Sequence, residues 1–293
     1  MTESQQSAKP DGVIVTGAST GIGAACALHL DQLGLRVFAG VRKPEDGEAL
    51  TRRAGARIQV IQLDVTDTAS IDAAVRQVAA AVSEAGLAGL VNNAGIGITG
   101  PVEAVPLSEW RRQFDVNFFG ALAMTQACLP WLRRGRGRVI NISSIAGRAG
   151  MPYMSPYAAS KHALEAISDA LRIELQPFGI HVAVIEPGAI ATPIWEKSKQ
   201  EADAQHSGWS QEFQRLYGEG FMKVKDAAMK AGERGAPAHL VAAAVAHALT
   251  AARPKTRYLV GRDANVRALL TAWLPDRLQD RLLTWAIKLP PRA

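Results

Sequence analysis

The segment from Val13 to Gly23 reads VIVTGASTGIG and joins a short apolar run, a glycine-rich turn and the start of a helical pattern. The apolar run predicts a strand over Val13–Thr16, and the pattern after it predicts a helix over Ile22–Leu33. Glycines at positions 17, 21 and 23 permit a tight turn and a close approach of a pyrophosphate to the backbone. The free N–H groups at the start of the helix would face that anion. The spacing is GxxxGxG, so a plain strand-to-helix turn is the alternative, but the strand–turn–helix context favours nucleotide binding.

Six further β-branched runs follow, with longer helical patterns between them. The predicted strands are Arg36–Val41, Ile58–Leu63, Gly89–Val91, Arg138–Ile142, His181–Ile185 and Arg257–Val260. The helical patterns include Ile71–Ala85, Trp110–Leu132 and Tyr157–Gln176. This alternation predicts an α/β fold with one domain over residues 1–262, in which helices cover both faces of a parallel sheet. Residues 193–236 interrupt the alternation and are predicted to be a substrate lid.

The composition excludes several classes of protein. The chain has 293 residues, of which 48% are hydrophobic and 20% are charged, so a disordered or fibrous chain is excluded. Residues 1–11 are expected to be a polar arm and not a signal peptide, and the apolar stretch Leu240–Ala252 is too short to cross a bilayer. Two distant cysteines, Cys26 and Cys128, indicate neither a disulfide framework nor a thiolate zinc site, and the histidine spacing suggests no metal. A cytoplasmic location is therefore expected.

The net charge of +6 raises nucleic acid, an anionic membrane surface and a phosphorylated ligand as partners. Residues 253–293 hold nine basic and three acidic residues, which accounts for the whole net charge. Within the C-terminal extension, residues 263–293, apolar and basic residues alternate at helical spacing: Leu269, Leu270, Trp273, Leu274, Leu278, Leu282 and Trp285, with Arg267, Arg277, Arg281 and Lys288. We expect this basic amphipathic segment to pack over the lid or a second subunit, with a membrane surface as the alternative. No helix carries a concentrated basic face within the sheet region, so no nucleic acid is expected as a partner.

The end of the second predicted strand bears on the choice of cofactor. An NAD site usually carries an acid about 20 residues after the glycines, where it holds the ribose 2′-hydroxyl. Here Val41 stands at that place and Arg42 and Lys43 follow it. An arginine can bind a 2′-phosphate with paired N–H donors, so NADP(H) is predicted in preference to NAD(H). The alternative is that both cations belong to a solvated loop end.

A Tyr–Lys pair lies in a later helical stretch. Tyr157 and Lys161 are four residues apart and share one helix face. An adjacent ammonium would lower the high pKa of a tyrosine and make Tyr157 a general acid/base. A YxxxK pair alone is most often a surface pair, so the hypothesis depends on the nucleotide turn that precedes it.

Taken together, these motifs resemble those of the short-chain dehydrogenase/reductase family over about residues 11–262. The matching features are Thr16–Gly23, Asn92 to Gly95, Asn117, Ser143 with Ser144, Tyr157 with Lys161, and Pro187 with Gly188. The resemblance implies a seven-stranded Rossmann-type sheet in the order 3-2-1-4-5-6-7, and homodimers or homotetramers formed through the helices around residues 110–132 and 157–176.

The resemblance also implies roles for individual residues. Tyr157 corresponds to the proton donor or acceptor and Ser144 to the serine that holds the carbonyl oxygen. Lys161 corresponds to the residue that contacts the nicotinamide ribose, and Asn117 to the one that helps hold a relay water. Ser143 is expected to be structural. The expected NADP(H)-binding residues are Gly17, Ser19, Thr20, Gly21, Ile22, Gly23, Arg42, Lys43, Asp64, Val65, Asn93, Ala94, Gly95, Tyr157, Lys161, Pro187, Gly188, Ile190 and Thr192.

Residues 147–172 and 178–193 are similar to the 17β-hydroxysteroid and retinol dehydrogenase branch of the family. This similarity implies an enzyme that interconverts a ketone or aldehyde and an alcohol on a bulky apolar substrate, whether steroid-, retinoid- or lipid-like. The expected lining is Ile96, Ile98, Met151, Met154, Trp195 and Phe221, although each could equally pack under the lid. A 3-oxoacyl-type or small-ketone carbonyl reductase and a non-enzymatic NADP-binding sensor are the alternatives.

Overall fold

The computed structural model describes residues 10–287. Residues 1–9 of the expected polar arm, and the end of the C-terminal extension with Lys288, lie outside the described residues. Nine strands are present within these described residues: β1 Gly12–Val15, β2 Arg36–Val41, β3 Ile58–Gln62, β4 Leu87–Asn92, β5 Arg138–Ile142, β6 His181–Pro187, β7 Ile190–Ala191, β8 Ala236–Pro237 and β9 Arg257–Val260. Seven of them form one sheet in the order β3-β2-β1-β4-β5-β6-β9, with every neighbouring pair parallel. The predicted fold class and strand order are confirmed.

Twelve helices accompany these strands in the described part of the chain. They are α1 Gly21–Gln32, α2 Pro44–Thr51, α3 Thr68–Val82, α4 Leu107–Phe114, α5 Gly120–Gly135, α6 Ser155–Glu174, α7 Ile194–Ser207, α8 Gln211–Phe213, α9 Glu219–Glu233, α10 Ala238–Thr250, α11 Arg262–Trp273 and α12 Asp276–Ala286. Helix α3 shows why these segments are helical. Its buried residues, from Ile71 to Val82, recur at intervals of three and four, and the Asp67 side chain accepts the N–H of Ala69 at its start.

Alternate residues of the central strands point to opposite faces of the sheet and belong to two hydrophobic cores. Val13 and Val15 of β1 pack with α1 and α10 on one face of the sheet. Ile14, between them, packs with α3 and α5 on the other face. Because both faces of the sheet are covered, the strands are nearly continuous apolar runs, as their sequences indicated.

Two segments differ from the sequence-based expectation. The helix expected over Trp110–Leu132 is divided by a π turn at Asp115–Phe119. A single π turn leaves the hydrophobic pattern almost unchanged, so the periodicity of the sequence did not reveal it. The segment expected to be a lid, residues 193–236, is helical and consists of α7, α8, a second π turn at Gln214–Gly218, and α9. The short parallel pair β7–β8 closes its base.

The carboxyl ends of β1, β4, β5 and β6 meet at one edge of the sheet. The glycine turn follows β1, Asn93 follows β4, Ser143 follows β5 and Gly188 follows β6. The strand order reverses direction between β1 and β4, and open α/β sheets bind their ligands at such a switch point. The topology therefore brings the motifs of the sequence to one cleft.

Candidate active site

The glycine turn after β1 is held by the end of β4. Gly17 and Gly21 have φ angles of +64° and +57°, which side-chain-bearing residues rarely adopt. The side-chain amide of Asn93 donates to the carbonyls of Thr16 (2.9 Å) and Gly17 (3.1 Å). A Cβ on Gly17 would lie 2.8 Å from the Cα of Ala94. The turn thus lies against the Asn93–Gly95 segment with no room for a side chain.

Gly23 lies in the first turn of α1 and completes this cradle. A Cβ there would lie 2.2 Å from the carbonyl oxygen of Gly17. On the open side, the Cβ position of Gly21 is 3.2 Å from Cβ of Thr192, so the turn faces the segment after β6 across the cleft. The cradle and the α1 N terminus fit the pyrophosphate of a dinucleotide. Three other expected contact residues, all at least partly accessible, also lie here: Ser19, Thr20 and Ile22.

The expected adenosine end of the cleft is formed after β2 and β3. Burial acts to raise the pKa of Asp64, but hydrogen bonds from Thr66 and the charge of Arg42 bring that pKa below its usual value. Arg42 and Lys43 are exposed, and Arg42 is close enough to Asp64 for its charge to be felt. Val65 is buried and faces Gly120 of α5, where a Cβ would lie 2.7 Å from the valine side chain.

Ser144 and Tyr157 come together at the other end of the cleft. Ser144 follows β5, and its hydroxyl accepts the N–H of Ala146 (3.1 Å) and lies 3.5 Å from the carbonyl oxygen of Pro187. Tyr157 lies in the first turn of α6. Burial raises the pKa of Tyr157, and a hydrogen bond with Ser144 opposes that rise. The two hydroxyl groups are therefore adjacent, as an arrangement that holds one substrate oxygen requires.

Lys161 lies one helical turn after Tyr157, with its Nζ 5.8 Å from the centre of the tyrosine ring. The ammonium donates to the carbonyl of Ile142 (2.7 Å). Burial lowers the pKa of Lys161 to about 8, while the charge of Glu165 acts to raise it. The expected lowering of the Tyr157 pKa by Lys161 is not found, because burial raises that pKa and the group that opposes the rise is the Ser144 hydroxyl.

Asn117 lies in the π turn and holds the segment after β4. Its side-chain oxygen accepts the N–H of Ile96 (2.9 Å), and its amide donates to the Ile96 carbonyl (3.0 Å) and to Ser160 of α6 (3.2 Å). One turn earlier, Gln113 accepts the N–H of Ile98 (2.7 Å) and donates to the Ile96 carbonyl (2.8 Å). The sequence interpretation missed Gln113, whose spacing of four residues from Asn117 was the available signal.

The segment after β6, expected to hold the nicotinamide, is fixed from the C-terminal extension. The carboxylate of Asp263 in α11 accepts the N–H of Ala189 (2.7 Å). A Cβ on Gly188 would lie 2.2 Å from that carboxylate, so only glycine allows this contact. Asp263 was also missed, because 74 residues separate the two partners and no local pattern links them.

The expected substrate residues fall into two groups. Ile96, Met151 and Met154 are half-buried and lie on the two loops that flank Tyr157, whereas Ile98 is buried. A backbone hydrogen bond links the two loops: the N–H of Gly100 donates to the carbonyl of Tyr153 (2.7 Å). Tyr153, another missed residue, has a left-handed φ of +61°, a strained conformation for a tyrosine.

Trp195 and Phe221 hold the lid together. The indole N–H of Trp195 donates to the carbonyl of Ile190 (2.7 Å), and its ring packs on Gly232 of α9. Phe221 is only 2% exposed. Its ring contacts those of Tyr153, His206 and Trp209. Within residues 10–287, no group of three or more His, Cys, Asp or Glu side chains is arranged to bind a metal ion.

Comparison with known proteins agrees with this geometry. Residues 11–203 match the family model described as short chain dehydrogenase. Retinol dehydrogenase 5 of Mus musculus is 36% identical over 96% of this chain and 90% of its own length. The NADPH-dependent 3-dehydrocapnine reductase of Ornithobacterium rhinotracheale is 38% identical, over 92% of this chain and 94% of its own length. The type 6 17-beta-hydroxysteroid dehydrogenase of Bos taurus is 37% identical, over 96% and 90%.

Solved structures show the same fold. A short-chain dehydrogenase from Streptomyces avermitilis superimposes with a TM-score of 0.71 at 29% identity, covering 93% of this chain and 98% of the other. A short chain dehydrogenase from Burkholderia cenocepacia in complex with NADP gives 0.70 at 25% identity, covering 96% and 99%. The chain belongs to the short-chain dehydrogenase family and is an oxidoreductase that acts on CH–OH groups.

The expected cytoplasmic location is wrong. The relatives that match nearly the whole chain, retinol dehydrogenases 5, 7 and 16 and the type 6 17-beta-hydroxysteroid dehydrogenase, are membrane-associated enzymes. The expectation was based on the polar character of residues 1–11 and on the short apolar stretch Leu240–Ala252, and neither feature excludes attachment to a membrane surface. Between residues 10 and 287, none of the helices combines the length and apolar character needed to cross a bilayer.

Proposed function

We propose that the protein is an NADP(H)-dependent oxidoreductase that interconverts a ketone or aldehyde and an alcohol on a bulky apolar substrate. The observation that carries the proposal is the pairing of the Ser144 and Tyr157 hydroxyls at the end of the dinucleotide cleft. Apolar side chains on two loops, and a helical lid, adjoin this pair. A polar pair beside an apolar surface suits a substrate with one oxygen and a large apolar body.

Each residue then has a task in the reaction. When bound, NADP(H) supplies or accepts the hydride. The glycine turn holds the pyrophosphate, and Lys161 is placed to bind the nicotinamide ribose. Ser144 donates a hydrogen bond to the substrate oxygen, and Tyr157 gives that oxygen a proton in reduction or takes it in oxidation. Asn117 keeps Ile96 in place beside the reacting group.

The preference for NADP(H) is supported by Arg42. It follows β2, its side chain is exposed, and its charge reaches Asp64 at the adenosine end of the cleft. A guanidinium at this position can bind a 2′-phosphate with two parallel N–H bonds. The relative named as an NADPH-dependent reductase supports the same cofactor.

The size of the substrate can be tested by NADPH oxidation. We expect kcat/KM to rise at least about 100-fold from acetone to steroid-sized ketones and retinal, because each buried CH₂ contributes about 0.8 kcal/mol. The relatives named retinol and 17-beta-hydroxysteroid dehydrogenases favour this class. Highest efficiency with the smallest ketones would instead support a small-ketone reductase. No oxidation with any carbonyl compound, in protein that binds NADPH, would contradict the proposed activity.

We also propose that α11 and α12 contact an anionic membrane surface. Large apolar side chains are exposed along both helices, most of all Trp273 (79%) and Trp285 (80%). Their exposure favours a membrane surface over packing against the lid, which was one of the expected arrangements. Arg277 and Arg281 lie between the apolar positions of α12. Exposed tryptophans with flanking arginines are typical of segments that lie in a membrane interface.

Co-sedimentation with vesicles tests this membrane contact. We expect the full chain to bind vesicles that contain phosphatidylserine. The double variant Trp273→Gln, Trp285→Gln should bind these vesicles at least about tenfold more weakly. Leu107→Gln, which removes an equally exposed apolar side chain from α4, should leave binding unchanged. Equal binding by all three proteins contradicts the proposal. A change in oligomeric state without vesicles would assign the face to a subunit contact.

A homodimer or homotetramer remains the proposed assembly. The helices expected to form the contact carry exposed apolar side chains, among them Phe119 (52%) after α4 and Ile173 (65%) near the end of α6. A second copy of the chain would cover these surfaces.

A further inference from the structure

A buried cluster of charges lies directly behind Lys161. Glu165 follows Lys161 by one turn of α6 and is only 8% exposed. Arg257 of β9 contacts Glu165 (3.2 Å) and also Glu186 of β6 (3.1 Å), which is fully buried. Arg148 pairs with the same Glu186 at 2.6 Å. Anionic and cationic groups therefore alternate from Lys161 to the edge of the sheet.

Gly147 allows this cluster to lie close to the reacting groups. It ends the short turn that follows Ser144. A Cβ on Gly147 would lie 2.7 Å from the Ser143 hydroxyl and 3.1 Å from both Cγ of Glu165 and the carbonyl oxygen of Lys161. The turn thus packs directly on α6 at Lys161 and Glu165, with no side chain between them.

We propose that Glu165 is a positioning residue that holds Lys161 in its ammonium form, and that Arg257 keeps Glu165 ionised. Glu165 is buried one turn after Lys161 on α6, whereas Tyr157 lies one turn before it, so Glu165 acts through Lys161. The proposal rests on the proposed function only in that Lys161 serves Tyr157. The proposal gives the buried carboxylate of Glu165 a role, which the expected roles of the four catalytic residues do not.

The charges around the pair support this assignment. Burial pushes Lys161 toward its neutral form, and Glu165 is the nearby charge that opposes it. On its own helix, Lys161 faces Tyr157 and Glu165. With a pKa of about 8, the lysine is mostly charged at pH 7, and loss of the acid would move it toward neutrality.

The ionisation of Glu165 depends in turn on its neighbours. The pKa of Glu165 lies above its usual value, because burial acts first to raise it and the charge of Glu186 adds to this effect. The Ser143 hydroxyl and Arg257 act in the opposite direction. Arg257 is also held by Asp169 of α6 at 2.8 Å.

Nuclear magnetic resonance of the full chain, labelled with ¹³C-lysine and free of cofactor, measures the titration of Lys161 directly. The Lys161→Met variant assigns the signal. We expect Glu165→Gln to shift the midpoint of Lys161 to lower pH by roughly 0.5 to 1 unit, because a negative charge one helical turn away is removed. Asp169→Asn is the matched control, since Asp169 also pairs with Arg257 but lies one turn further from Lys161. It should leave the midpoint unchanged.

An unchanged midpoint in Glu165→Gln would overturn the proposal, as would an equal shift in the Asp169 control. Should Glu165→Gln fail to fold, Glu165→Met gives a second neutral variant of similar size with the same expected shift. Glu165→Asp restores the charge and should return the midpoint toward the wild-type value. Because the titration needs neither substrate nor cofactor, it gives its answer even if the proposed substrate class or cofactor is wrong.

Discussion

Tyr157→Phe is expected to lower turnover by about 10³-fold, which corresponds to about 4 kcal/mol in the activation free energy. The substitution removes only the hydroxyl that exchanges a proton with the substrate oxygen. The ring stays beneath Lys161, and the glycine turn, Asn93 and Arg42 are untouched. NADPH affinity, measured by energy transfer from protein tryptophan to the nicotinamide, should therefore stay within about threefold of wild type.

Tyr217→Phe is the matched control for this loss. Tyr217 lies in the lid, and its hydroxyl donates to Glu103 away from the Ser144 pair. Its turnover should equal that of the wild type. A Tyr157→Phe protein that keeps substantial turnover would contradict the role of the phenol in proton transfer. A protein that loses both turnover and NADPH binding would show that the hydroxyl is needed to bind the cofactor, and the loss of turnover would then not support a role in proton transfer.

Arg42→Asp is expected to reverse the choice of cofactor. Loss of one or two charge-assisted hydrogen bonds to the 2′-phosphate, together with repulsion by the new carboxylate, should raise KM for NADPH by about 100-fold. The same carboxylate can accept a hydrogen bond from the 2′-hydroxyl, so KM for NADH should stay level or fall. Steady-state kinetics with both cofactors measures the change.

Arg53→Asp provides the same change of charge at an exposed position just after α2. It should shift both KM values little, because charge alone at this distance is screened by salt. If Arg42→Asp retains the preference for NADPH, the 2′-phosphate is held elsewhere. If both variants weaken NADPH equally, Arg42 contributes only to the overall field.

The fold could be predicted from the sequence because it depends on local patterns. Each of the seven sheet strands begins and ends within two residues of the run that indicated it; β4, for example, begins two residues early, at Leu87. Buried parallel strands are short apolar runs, and helices between them follow a period near 3.6. The order of strands came from the family resemblance, and the structure confirms it.

The supporting parts of the site could not be predicted, because they pair residues that are remote in sequence. Asp263 contacts Ala189 across 74 residues, and Arg257 reaches Glu165 across 92. Hydrophobic periodicity describes neighbouring residues and cannot indicate contacts across such long separations in sequence. The pKa of Tyr157 was predicted in the wrong direction for a related reason, since the sequence shows its charged neighbour but not how deeply the phenol is buried.

The contact between Asp263 and Ala189 also has a consequence during synthesis of the protein on the ribosome. Chains grow from the amino terminus, so the glycine turn, Asn93 and Tyr157 all leave the ribosome before Asp263 does. The turn after β6 therefore gains its carboxylate partner only after α11 has been made. A chain that stops before α11 leaves the dinucleotide cleft without this support.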